Sequence, residues 1–218
     1  MKGVFAKFLA AALLLCPLAV PAQTVNGSFE SNTSDPGAFW LTLSTGSTVI
    51  DGWTIDGSID YIGGWWPAAD GTKSLDMSGL TAGQVSQTIP TLPGATYAVS
   101  FFMSGNPDGE PWVKELTVTA DGAQPEVFSY DVLLAGNSRS DMKWEQNQYL
   151  FVAEGESTLL TFTSGAFTVY GPTLDNIQVL TGVCHRNFGK KGQKTLMISP
   201  HALRAHLDHG DTPGPCAE

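Results

Sequence analysis

The chain has 218 residues, with 21 Asp and Glu against 11 Lys and Arg, a formal net charge of −10. A surface this acidic repels phosphate backbones and argues against nucleic acid as a partner. The length supports one well-buried core and is short for two ordinary domains.

Residues 1–22 read as a secretory signal peptide. Lys2 and Lys7 give a basic start, Phe8 to Val20 is apolar apart from Pro17, and Val20-Pro21-Ala22 offers the small residues a signal peptidase reads. The apolar run is too short for a membrane span, and no later stretch is long enough for one. A lipoprotein site at Cys16 is the alternative, and Leu15 before it is not small. Cleavage after Ala22 leaves 196 residues, with nine basic against 21 acidic side chains, a net −12. The expected location is secreted and extracellular.

From Val25 to Leu180 the pattern is strand and turn, with about ten candidate strands. Tyr97 to Met103, Leu116 to Ala120, Leu160 to Thr163 and Ile177 to Val179 alternate with period two. Breaks rich in Gly, Pro, Asn and Asp separate these runs at 92–94, 106–109, 120–122 and 154–156. Each strand has one apolar face to bury, which predicts two packed sheets: an all-β sandwich over residues 23–180.

At Thr181 the composition changes. All four histidines lie between His185 and His209, and Cys184 and Cys216 flank the segment. Ser199 at the N-cap, Pro200 at the first helical position and Gly210 past the end predict a helix of about ten residues over 200–209. Residues 181–218 thus read as an appended hairpin-plus-helix module.

Several phrases, in order, resemble one family. They are Asn26-Gly-Ser-Phe-Glu30, Asp51-Gly-Trp53, Ile59 to Trp66, Ala69-Asp-Gly-Thr-Lys-Ser-Leu-Asp76, Val85 to Ile89, Pro93 to Asn106, and Tyr170 to Ile177. Together they resemble the choice-of-anchor C family of bacterial surface and secreted proteins, related to the plant DUF642 domain. The resemblance covers roughly residues 24–180 and implies a galactose-binding-like jelly roll. Members often end in a sorting or anchoring signal, whereas this chain ends in the Cys184–Cys216 segment. That segment is similar to a recurrent tail of secreted bacterial proteins, Cys-His, Lys-Thr-Leu, His-x-x-His-Gly-Asp-Thr, Gly-x-Cys.

Four constellations bear on chemistry. No histidine lies between residues 23 and 180, so a Ser-His-Asp site there is excluded. Nor does a Gly-x-Ser-x-Gly elbow, a phosphate-cradling loop or a His-Glu-x-x-His helix occur. A glycosidase built on two carboxylates is not excluded, though the acids read mainly as a solvated surface. Sugar rings lay a C–H face on an indole, so Trp65 and Trp66 beside Asp70, and Trp112 in a second loop, are the candidate carbohydrate contacts. The competing reading places Trp53, Trp144 and one of the adjacent pair in the core.

The jelly-roll resemblance implies a structural calcium ion between the first and last strands. Glu30 and Asp175 occupy the matching places, with Asp76 as a third candidate. The plainer alternative is acids at strand ends accepting backbone hydrogen bonds. In the tail, His185, His206 and His209 are candidate zinc ligands around a Cys184–Cys216 disulfide. A Cys₂His₂ zinc site would use the cysteines as thiolates instead. The expected function is a secreted, non-catalytic module that binds carbohydrate or a cell-envelope polymer. The alternative is a structural matrix or surface protein without glycan recognition.

Overall fold

Period-two alternation builds the body of the protein. The computed structural model describes residues 24–186, 192–214 and 216. The leader at 1–22, and Cys16 within it, lie outside the described residues. Strands β1 (Trp40–Ser44), β3 (Ser58–Ile62), β4 (Ser74–Asp76), β11 (Pro172–Arg186), β6 (Thr96–Gly105) and β9 (Glu145–Val152) form one antiparallel sheet in that spatial order. Strands β2 (Thr54–Asp56), β5 (Gln84–Pro90), β10 (Ser157–Ser164), β7 (Val113–Ala120) and β8 (Glu126–Asp131) form the second. From β5 onward the chain passes back and forth: β6 in the first sheet, β7 and β8 in the second, then β9, β10 and β11 in alternate sheets. This alternation is a jelly-roll β-sandwich, the predicted class.

The core lies between the two inner faces. Leu116, Val118 and Ala120 of β7, Leu160 and Phe162 of β10, and Tyr97, Val99, Phe101 and Met103 of β6 are all buried. Phe162 meets Phe101 edge-on at 5.5 Å and Trp53 at 6.3 Å. The Trp53 indole donates to the Asn26 carbonyl at 3.0 Å, so its burial leaves no polar group unpaired.

Two details escaped the alternation. A four-residue helix, α1 (Val132–Ala135), follows β8, started by the Asp131 carboxylate accepting from Leu133 N and Leu134 N. In β11, Leu174 and Ile177 both enter the core although they stand three positions apart. Strict alternation would put them on opposite faces. A bulge between Asp175 and Gln178, with Asn176 at φ 47°, inserts the extra residue that reconciles them.

The strand β11 continues past residue 180 without a break, reaching Arg186. Its far half pairs with β12 (Gln193–Ile198) and with the short β13 (Thr212–Pro213). Between them lies α2 (Pro200–Asp208), which buries Leu203. Ser199 holds the N-cap position, but its side chain makes no capping bond. Cys184 and Cys216 are joined in a disulfide.

Candidate functional site

One loop organises the candidate residues. Between β3 and β4, residues 67–73 are held from two sides by carboxylates. Asp175 Oδ2 accepts from Ala69 N at 2.7 Å and Asp70 N at 2.9 Å, and its Oδ1 from Asn176 N at 2.6 Å. Glu30 Oε1 accepts from Thr72 N at 2.6 Å and Lys73 N at 2.7 Å, and its Oε2 from the Thr72 hydroxyl at 2.9 Å. Gly71 makes the approach possible: it sits at φ 69°, and a Cβ there would lie 2.4 Å from Glu30 Oε1. Burial pushes the Asp175 carboxyl up to about 7, against the pull of its amide donors.

These carboxylates already accept several amide hydrogen bonds. Amide N–H groups aimed at the same oxygens put positive dipoles where a cation would sit, whereas calcium wants further oxygens. Asp76 is held separately. Its Oδ1 accepts from Ser78 N at 2.9 Å and Gly171 N at 3.0 Å, and its Oδ2 from Asn106 Nδ2 at 2.6 Å. Burial raises it to about 7 as well. Among the described residues, Glu30, Asp76 and Asp175 do not gather into a metal-capable group. The plainer alternative, acids accepting backbone hydrogen bonds, describes what they do.

Beside this loop lies an open cleft of about 410 Å³ on the larger sheet. Ile62 and Trp66 line it from a small buried cluster they share with Met142. Trp66 is 3 % exposed, and its indole donates to Ser74 Oγ at 3.0 Å. The adjacent Trp65 is half-buried and reaches the surface. Trp40 meets it edge-on at 4.9 Å, and Phe39, 61 % exposed, lies 6.2 Å away. The Arg139 guanidinium lies 4.0 Å from the Trp65 ring centroid and pairs with Asp108 at 2.6 Å. Asp108 also accepts from the Trp65 indole at 3.3 Å. Across the cleft, Thr42 donates to Asp60 at 2.6 Å. Burial raises the Asp60 carboxyl, and raises Asp76 further beneath the cleft wall.

The sequence-predicted contacts therefore separate. Trp65 and Trp66 share the cleft, with Trp65 at the mouth and Trp66 underneath. Asp70 is exposed and belongs to the clamped loop, outside the cleft lining. Trp112 packs against the main core, donates to Glu110 at 3.1 Å and does not line the cleft. Trp53 and Trp144 are packed, with Trp144 donating to the Pro67 carbonyl at 3.0 Å. Sequence reasoning missed Phe39, Trp40, Asp108 and Arg139. The Phe39-Trp40 pair was the available signal. Arg139 and Asp108 lie on loops distant in sequence, and nothing local announces their pairing.

In the tail, His185 and His206 come together with Asp211. His209 instead caps the C-terminal end of α2 and is exposed, outside this group. Asp211 takes the place expected of it. Among the described residues, no helix is long and apolar enough to cross a membrane.

Residues 23–180 match the family described as protein of unknown function, DUF642. Halomucin of Haloquadratum walsbyi is 28 % identical over 196 residues, which covers 82 % of this chain but only 2 % of halomucin. Among solved structures, the chain is similar to a family 61 carbohydrate-binding module in complex with β-1,4-galactotriose. Identity there is 14 %, coverage 72 % of this chain and 95 % of that one, and the TM-score 0.42. It is also similar to the CBM22-1 xylan-binding domain of Paenibacillus barcinonensis Xyn10C, at 17 % identity, 65 % and 92 % coverage and TM-score 0.43. A native family 35 carbohydrate-binding module from Clostridium thermocellum gives 12 % identity, 64 % and 90 % coverage and TM-score 0.40. With the family match spanning most of its length, this chain belongs to the DUF642 family.

Proposed function

We propose that this protein is a non-catalytic, secreted carbohydrate-binding module, and that the Trp65 cleft is where the sugar docks. The observation that carries the reading is the aromatic group of exposed Phe39 and Trp40 with half-buried Trp65, whose ring lies against the Asp108–Arg139 pair. Aromatic faces hold the C–H side of a pyranose, while a carboxylate and a guanidinium accept from and donate to neighbouring hydroxyls. Arg139 is already neutralised by Asp108, and Asp60 and Asp76 add further acid to the lining. A uronic acid or sulfated sugar would meet more carboxylate than cation. The cleft therefore favours a neutral glycan.

A hydrolytic role would draw on Asp60 and Asp76, which face each other in register across β3 and β4. Asp76, however, is fully buried and occupied by three donors, so it is held as an acceptor for the strand end. The disulfide in the tail and the leader-like N-terminus support action outside the cell.

A glycan array probed with the disulfide-intact protein tests the reading. The expected result is binding to neutral glycans without release of reducing ends, lost in Trp65→Ala. Silence across a broad array would favour a structural surface protein. Binding that Trp65→Ala leaves intact would move the site elsewhere.

A further inference from the structure

The C-terminal segment builds a second polar centre, remote in sequence from the cleft. The strand β11 supplies His185, and α2 supplies His206. After α2, Gly210 at φ 88° turns the chain back, and Asp211 N donates to the His206 carbonyl at 3.1 Å. That turn brings the Asp211 carboxylate to the Nδ1 atoms of both rings. His185 Nδ1 lies 2.8 Å and His206 Nδ1 2.7 Å from the same oxygen, Oδ2. The other oxygen, Oδ1, accepts from Arg186 N at 2.9 Å, which fixes the carboxylate's direction. The Asp211 side chain is 1 % exposed, while those of His185 and His206 are 36 % and 25 % exposed, so the centre is anchored inside and open outside. The two rings stand edge to face, 5.7 Å apart.

We propose that His185, His206 and Asp211 form a binding site for a zinc-class divalent transition metal. Two imidazole nitrogens and one carboxylate oxygen converge from three separate places in the chain. That donor set suits zinc, nickel or copper and disfavours calcium and magnesium, which want oxygen alone. Four ligands at about 2.0–2.1 Å from a tetrahedral ion stand about 3.3 Å apart. The present 2.7 and 2.8 Å contacts therefore open by about half an ångström as the ion enters between them. Water would take the fourth position on the exposed side. The disulfide at Cys184 and the β11–β13 pairing beside it hold the elements that carry these ligands, so the site is part of the tail's fold. In this arrangement the histidines hold the metal and the cysteines stay oxidised.

The test is calorimetric titration of the disulfide-intact protein with zinc chloride, alongside cobalt(II) absorbance. The expected result is saturable binding of one ion per chain and a visible d–d band for bound cobalt. His206→Ala and Asp211→Asn should each weaken zinc by about tenfold or more, and His209→Ala should leave it unchanged. Calcium chloride should show no saturable binding in the same titration. If His206→Ala proves poorly folded, the stoichiometry and cobalt spectrum of the unaltered protein decide. Absence of saturable zinc binding there would overturn the proposal, as would binding that His209→Ala abolishes. In either case Asp211 is only a hydrogen-bonding bridge between two rings.

Discussion

The sandwich and the tail that follows it hold themselves together by different means. In the sandwich, aromatic side chains from both sheets fill the interior: Phe101, Phe162, Tyr97, Tyr149 and Trp53 are all buried. In the tail, Val183 and Leu203 are buried, but Leu196 and Ile198 are only half-buried and Met197 is exposed. The tail extends the larger sheet through the far half of β11, a central strand, adds a covalent closure, and gathers a polar cluster at Asp211. A segment with so little apolar area to bury needs such staples, whereas a two-sheet body does not.

The largest expected effect lies in the body. Phe101→Ala removes a ring that packs on Phe128 and Phe162 and should lower stability by about 3–5 kcal/mol. Chemical denaturation followed by far-ultraviolet circular dichroism reads the change. A loss under about 1 kcal/mol would mean the inter-sheet core is not the source of the body's stability.

The next effect belongs to the tail. Replacing Cys184 and Cys216 by serine releases a loop closure worth about 3–4 kcal/mol in the chain-entropy model. The loss should be local, because β12, α2 and β13 touch the body mainly through β11. Limited proteolysis should then cut within 187–216 while the body keeps its melting temperature. Loss of the body's transition together with the tail would show that the two are one cooperative unit.

A smaller effect comes from the acids that the body buries. Asp175 and Asp76 are raised in the folded protein to about 7, above the ordinary carboxylate value of 3.8. A folded state that holds protons more tightly than the unfolded chain loses stability as pH rises between those values. The melting temperature should therefore fall from about pH 4 to about pH 7, and Asp175→Asn should flatten that slope. The Lys114 ammonium, lowered to about 8 by burial, contributes stability with the opposite sign and only at higher pH. A melting temperature that climbs steadily across the same interval would contradict the assignment of these acids as desolvated.

The smallest effect is an expected zero. Glu30 and Asp175 spend their oxygens on the amides of residues 69–73, so adding calcium or chelating it should leave the body's melting temperature unchanged. A calcium-dependent rise that Asp175→Ala removes would restore an ion to that place.

Much of the fold was legible from the sequence because burial on one face forces alternation. Leu116, Val118 and Ala120, or Leu160 and Phe162, announce their strands without help from elsewhere. The turns at 92–94, 106–109 and 154–156 fall between strands, and that at 120–122 begins on the last residue of β7, for the same local reason. The β11 bulge was not legible, since Leu174 and Ile177 look out of phase until a positive φ at Asn176 is known. The site was legible only in part. Trp65 beside Trp66 stood out, but which of two adjacent indoles faces outward depends on the pleat and on what Ser74 can accept. Trp112 looked equivalent in sequence, yet the chain carries it away from the cleft. Arg139 reaches Trp65 across 74 positions, and no local pattern encodes that contact. In the tail, the Gly210 turn chose Asp211 over His209, a selection made by backbone geometry rather than by residue type.

Carbohydrate binding is tested most directly at the Trp65 cleft. Calorimetric titration of a neutral oligosaccharide into the intact protein, Trp65→Ala and Trp112→Ala should show binding that falls by about tenfold or more in the first variant. Trp112→Ala should bind as the intact protein does. Affinity that survives Trp65→Ala and disappears with Trp112→Ala would contradict binding at that cleft.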